Sequence, residues 1–109
     1  MIPARPHAPE KATQRIVGIA EMIVSNRPED LLITYALGSC LGICIHDPEA
    51  GVGGLLHVML PSSEGANPEK VRAFPARFVD TGVPRLFKEA YSRGARKERI
   101  ITKVAGCAS

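Results

Sequence analysis

Leu41-Gly-Ile-Cys-Ile-His-Asp-Pro-Glu-Ala-Gly-Val-Gly-Gly-Leu-Leu-His-Val-Met-Leu60 is the stretch that decides the fold. Two apolar runs, 41–46 and 53–60, flank Asp47-Pro48-Glu49-Ala50-Gly51, where Pro and Gly suit a tight turn. The pattern predicts an antiparallel hairpin in which His46 opposes Gly53 or a near neighbour. That register sets residue 40 opposite residue 59. His57 then becomes the diagonal neighbour of Cys40 on one face of the sheet, with Cβ atoms about 7–8 Å apart at most. A slip of one residue would send the two side chains to opposite faces.

Upstream, Ile16–Val24 reads as one strand rich in Ile and Val, Asn26-Arg27-Pro28 as a turn, and Leu31–Leu37 as a second strand. Gly38-Ser39-Cys40 follows as a sharp bend, because Gly38 takes backbone angles that other residues resist. Downstream, Ser62–Arg72 is polar, contains Gly65, Asn67 and Pro68, and reads as a loop. Phe74, Phe78, Val79, Leu86, Phe87, Ala90 and Tyr91 recur at roughly helical spacing. Asp80 is the expected cap of a helix running to Ser92, with Gly94 past its end. Pro84 points to a later start or a kink. Arg99–Ala105 reads as a last strand. Four strands, a helix and a further strand predict an α+β fold, a layered sandwich with a mixed or mainly antiparallel sheet. Residues 1–14, with three prolines by Pro9, read as a disordered tail, and 15–109 as the folded domain.

The composition narrows the function classes. A hydrophobic share of 45% and a charged share of 23% fit a globular domain rather than a disordered chain. No apolar run is long enough to cross a membrane as a helix. Aromatic residues make up 5% and Trp is absent, which ranks a base-stacking, nucleic-acid-binding platform low. The net charge is +3, and from Lys70 to Lys103 Lys and Arg outnumber Asp and Glu. A solvated basic face explains that surplus as well as an acidic partner does. Three cysteines without a CxxC argue against a disulfide framework or a zinc knuckle, and the N-terminus lacks a signal-peptide core. A cytoplasmic protein with reduced thiols is expected.

Cys40 and His57 carry the chemical signal. A cysteine is often simply buried. At a glycine-containing bend it can also present its sulfur beside free backbone N–H groups. A histidine inside Leu55–Leu60 is either a satisfied core residue or a base for Cys40. A free thiol of pKa about 8.5 is mostly protonated at neutral pH, so a nearby imidazole raises the thiolate fraction and can later protonate a leaving amine. Thr34 is the candidate to orient that ring, although threonine is also an ordinary strand residue. Cys44 shares the face of Cys40 and reads as core. His46 reads as exposed, and Cys107 and His7 as incidental. No His/Cys/Asp/Glu cluster has metal-ligand spacing.

Thr34-Tyr-Ala-Leu-Gly-Ser-Cys-Leu-Gly-Ile-Cys-Ile-His-Asp-Pro48, with Gly53-Gly-Leu-Leu-His-Val-Met-Leu-Pro61, resembles the signature of the CheD family of chemoreceptor glutamine deamidases. Val17–Glu21 resembles that family's first strand and Phe78–Val83 the start of its helix. The similarity runs from about Arg15 to Ala105. Relatives continue beyond Ser109, so a short member or a fragment lacking the C-terminal part is expected. The resemblance implies a layered sandwich of cysteine-hydrolase type, related to toxin deamidases.

It further implies Cys40 as nucleophile, His57 as base, Thr34 as third member, and Gly38 and Ser39 shaping the oxyanion site. The implied reaction hydrolyses glutamine side-chain amides of chemoreceptor cytoplasmic helices through a thioester, without metal or organic cofactor. CheC, a phosphatase of the chemotaxis response regulator, is the implied second partner. Two other readings compete with the enzyme. One is a non-catalytic relative that binds receptors or CheC. The other is a thiol redox protein using Cys40 and Cys44.

Overall fold

The computed structural model describes residues 13–35, 40–59, 65, 67–73 and 75–106. Gly38, Ser39, Phe74, Cys107, His7 and most of the expected tail lie outside them. Among the described residues six strands and two α-helices follow in the order β1 (Thr13–Ile16), β2 (Glu21–Ser25), β3 (Asp30–Ile33), β4 (Leu41–Asp47), β5 (Val52–Val58), α1 (Pro68–Ala73), α2 (Val79–Ser92) and β6 (Ile101–Gly106). Four of the strands form an antiparallel sheet in the order β2-β5-β4-β6. β1 and β3 form a separate parallel pair. The fold is α+β and mainly antiparallel, as the sequence predicts.

The central hairpin has the expected register, with His46 opposite Gly53 and Leu41 opposite Val58. Alternation along β5 divides the core in two. Val52, Leu56 and Val58 join Val24, Ile43, Ile45, Leu86 and Ala90 under α2. Leu55 joins Cys44, Val17 and Leu32 on the other face. Both β4 and β5 are thus covered on two sides, which explains why β5 reads as a continuous apolar run rather than an alternating one.

Four local expectations need correction. Ile16–Val24 is not one strand. The chain leaves β1 at Ile16, turns through residues 17–20 with Ala20 at φ 60°, and enters β2 at Glu21. Apolar content alone concealed that left-handed residue. The strand β1 also begins at Thr13, inside the stretch expected to be tail. Residues 68–73 are not loop. The Asn67 side chain accepts the N–H of Glu69 at 2.9 Å and Pro68 occupies the first helical position, so the pair reads as the start of α1 rather than as a turn.

Asp80 does not cap α2 either. The helix begins after Phe78 and places Asp80 in its first turn, favourable to the helix dipole. The Thr81 hydroxyl ties this end to the carbonyl of Pro75 at 2.6 Å. Pro84 sits inside the helix, where it removes one N–H. At the far end Gly94, at φ 102°, closes the helix as expected. Its N–H donates to Tyr91 and that of Ala95 to Ala90, a Schellman pair that a glycine enters without strain.

Asp47 anchors the end of the hairpin. Its carboxylate accepts the N–H groups of Glu49, Ala50 and Arg96 and the guanidinium of Arg99. Burial alone would raise its pKa, but these donors together hold it down at about 2.

Candidate functional site

Thr34 follows β3, His57 lies on β5, and Cys40 sits at a bend just before β4. His57 and Thr34 are buried at 1% and 0% exposure, whereas Cys40 is half-buried. Across the sheet His57 pairs with Gly42 on one side and with Glu21 on the other. Gly42 contributes no side chain beside the ring. Cys40 precedes the ladder's first pair by one residue and lies outside it.

The hydrogen bonds set the chemistry of the ring. The Thr34 hydroxyl donates to the carbonyl of Val17 at 2.7 Å and lies 2.9 Å from His57 Nδ1. A hydroxyl has one proton. With that proton on the Val17 carbonyl, Thr34 Oγ1 must accept, so Nδ1 carries the hydrogen and Nε2 a free lone pair. Nε2 is buried and has no hydrogen-bond partner among the described residues. A buried imidazole with an unsatisfied nitrogen carries a desolvation cost, and such groups in native proteins often mark a functional role.

Burial also pushes the His57 pKa below its ordinary 6.5, which keeps the ring neutral at neutral pH. A depressed folded-state value gives stability that is complete above the ordinary pKa. That stability is lost as pH falls through the depressed one. In a Cys40→Ala chain, where no thiolate perturbs the ring, His57 is expected to titrate below 6.5 when followed by NMR. A midpoint above 6.5 would contradict the buried neutral base.

The structure therefore joins Thr34 to His57 directly. It does not join Cys40 to either by a hydrogen bond. Such bonds often tighten only when substrate arrives. Gly38 and Ser39 lie outside the described residues.

Cys44 is buried in the core, and burial raises its thiol pKa, offset in part by Lys103. Cys40 and Cys44 are both free thiols in this structure, not joined as the redox reading would have them. His46 is half-buried rather than exposed. Among the described residues no group of three His, Cys, Asp or Glu could hold a metal ion, and no helix is long and apolar enough to cross a membrane. A groove of about 260 Å³ lies between β2 and α2, lined by Met22, Val24, Ala76 and Arg85, on the face of the sheet away from His57.

Sequence reasoning missed Val17, because what acts there is a backbone carbonyl, which has no side-chain signature. It also missed the role of the turn at 17–20.

A family model described as CheD chemotactic sensory transduction matches residues 59–109. The chain is 53% identical over 94 residues to a probable chemoreceptor glutamine deamidase CheD 1 of Syntrophus aciditrophicus, covering 86% of this chain and 58% of that protein. It is 49% identical over 96 residues to a probable chemoreceptor glutamine deamidase CheD of Solibacter usitatus, covering 88% and 56%. It is 40% identical over 96 residues to the chemoreceptor glutamine deamidase CheD of Thermotoga maritima, covering 88% and 57%. The chain spans a little over half the length of these curated relatives.

Proposed function

We propose that this chain, similar to CheD proteins over most of its described length, acts as they are named to act and deamidates glutamine side chains of chemoreceptor cytoplasmic helices. The observation that carries the reading is the oriented imidazole. Thr34 and Val17 fix the hydrogen on Nδ1 and leave Nε2 without a partner among the described residues, and the pairing of His57 with Gly42, two residues past Cys40, supports a place for the thiol on the same face.

In the proposed reaction His57 Nε2 takes the Cys40 proton and the thiolate attacks the amide carbon. Backbone N–H groups around Ser39 and Cys40, with Gly38 permitting the bend, hold the oxyanion. The imidazolium gives its proton to the leaving nitrogen, ammonia departs, and a thioester remains on Cys40. Water then loses a proton to Nε2 as it attacks the thioester, which releases glutamate and restores the thiol. Thr34 keeps the ring in one tautomer throughout. No step needs a metal or an organic cofactor.

The same reading makes the enzyme a Cys-His-Thr amidohydrolase of the cysteine-hydrolase type seen in toxin deamidases. It works in the cytoplasm on receptor helices, with CheC as a second partner. The test is direct. The chain is incubated with a glutamine-bearing receptor fragment, and ammonia and the amide-to-acid mass change are followed together. Both are expected, and both are expected to vanish after thiol alkylation. Binding of the fragment by a folded chain with neither signal would overturn the enzyme and favour a non-catalytic relative that binds receptors.

A further inference from the structure

Glu21 stands directly across the β2–β5 ladder from His57, so the two side chains leave the same face of the sheet. Its carboxylate nevertheless does not meet the ring. It turns back and accepts the N–H of Gly18 at 2.7 Å, while its own N–H donates to the Gly18 carbonyl at 3.1 Å. These reciprocal bonds close residues 18–21 into one turn, and that turn reaches His57 by two routes. The Ala20 N–H donates to the His57 carbonyl at 2.8 Å. Just before the turn, the Val17 carbonyl receives the Thr34 hydroxyl and thereby decides which nitrogen of His57 carries hydrogen. Ala20 sits at φ 60°, a region that costs a residue with a Cβ. Strained residues of this kind persist where the surrounding structure over-determines them.

We propose that Glu21 is a positioning residue, whose carboxylate locks the Gly18–Glu21 turn so that the turn holds the backbone of His57 and, through Val17 and Thr34, its tautomer. This rests on the reading of His57 as the base. Glu21 touches neither substrate nor reacting atoms and acts through the turn alone. An exposed glutamate that only capped a surface turn would leave the ring untouched.

The neighbouring glycine supplies an independent lever. A Cβ added at Gly18 would run into the Glu21 carboxylate, and Gly18 does not occupy the left-handed region, so Gly18→Ala displaces the carboxylate without forcing the backbone. Glu21→Gln keeps an oxygen able to accept the Gly18 N–H, whereas Glu21→Ala does not.

The experiment measures kcat and KM for glutamine deamidation, and the nitrogen NMR shifts of His57 at neutral pH, in the full chain and these three variants. Glu21→Ala and Gly18→Ala are expected to lower kcat about 10- to 100-fold with little change in KM, as a mispositioned catalytic group does. In both, the two ring nitrogens should drift toward the averaged shifts of an unlocked tautomer. Glu21→Gln should keep both properties near those of the unaltered chain. Unchanged His57 shifts in Glu21→Ala and Gly18→Ala would overturn the proposal, even if both variants melted at lower temperature. Should Glu21→Ala fail to fold, Gly18→Ala against Glu21→Gln decides it by the same shifts. The NMR arm needs no substrate, so it judges Glu21 even if the unaltered chain releases no ammonia.

Discussion

A chain carrying Cys40→Ala is expected to release no ammonia above background from a glutamine-bearing receptor fragment. The loss in kcat/KM should be at least about 10⁴-fold, the scale seen when a covalent nucleophile is removed. No other described thiol can take over. Cys44 points into the core beside Leu55, Val17 and Leu32, and burial holds it as a thiol. Because Cys40 is only half-buried and lies outside the strand ladder, the change should cost less than about 1 kcal/mol of stability, and binding of the fragment should survive. Cys44→Ala should behave the opposite way, lowering the melting temperature while leaving activity per folded molecule intact. Activity that survived Cys40→Ala would remove the thioester from the mechanism.

Thr34→Val should damage both function and stability, for one reason. Valine keeps the shape and removes the hydroxyl that bonds Val17 at 2.7 Å and His57 Nδ1 at 2.9 Å. Both partners are left in a buried place without a mate, at about 1–3 kcal/mol for each such group, so the midpoint of urea unfolding should fall. The ring also loses the acceptor that fixes its tautomer, and kcat should fall roughly 10²- to 10⁴-fold. Thr34→Ser restores the hydroxyl and should recover most of the rate. A serine variant as slow as the valine one would mean that the methyl, and not the hydroxyl, matters at this position.

Much of this architecture was legible in the residues. The turn at Asp47–Gly51 fixes the hairpin register, with His46 opposite Gly53 and His57 opposite Gly42. Helix α2 was legible from its spacing, and its end from Gly94. What remained hidden depends on backbone geometry or on distance along the chain. The break at residues 17–20 hinges on the left-handed Ala20, which no apolar pattern announces. The start of α1 was hidden because Asn-Pro serves equally as a turn and as a helix entry. Thr34 could be suspected, but its hydrogen-bond direction could not, since that depends on a carbonyl contributed from 17 residues upstream.

The hairpin that joins β4 to β5 closes across a tight turn, which costs little chain entropy. The bond from Arg99 to Asp47 spans 52 residues, and the link from Thr34 to His57 spans 23 and joins two separate sheets. The imidazole therefore sits in the most local element of the molecule, while the hydroxyl that bonds the ring follows a two-stranded layer whose first strand is solvent-exposed along its whole length. On the proposed mechanism, partial unfolding that frees this thin layer strips His57 of its Thr34 partner while the four-stranded sheet still stands. Catalytic rate then becomes a finer gauge of the packing of β1 and β3 than circular dichroism, and mild denaturant should silence the protein before it visibly unfolds.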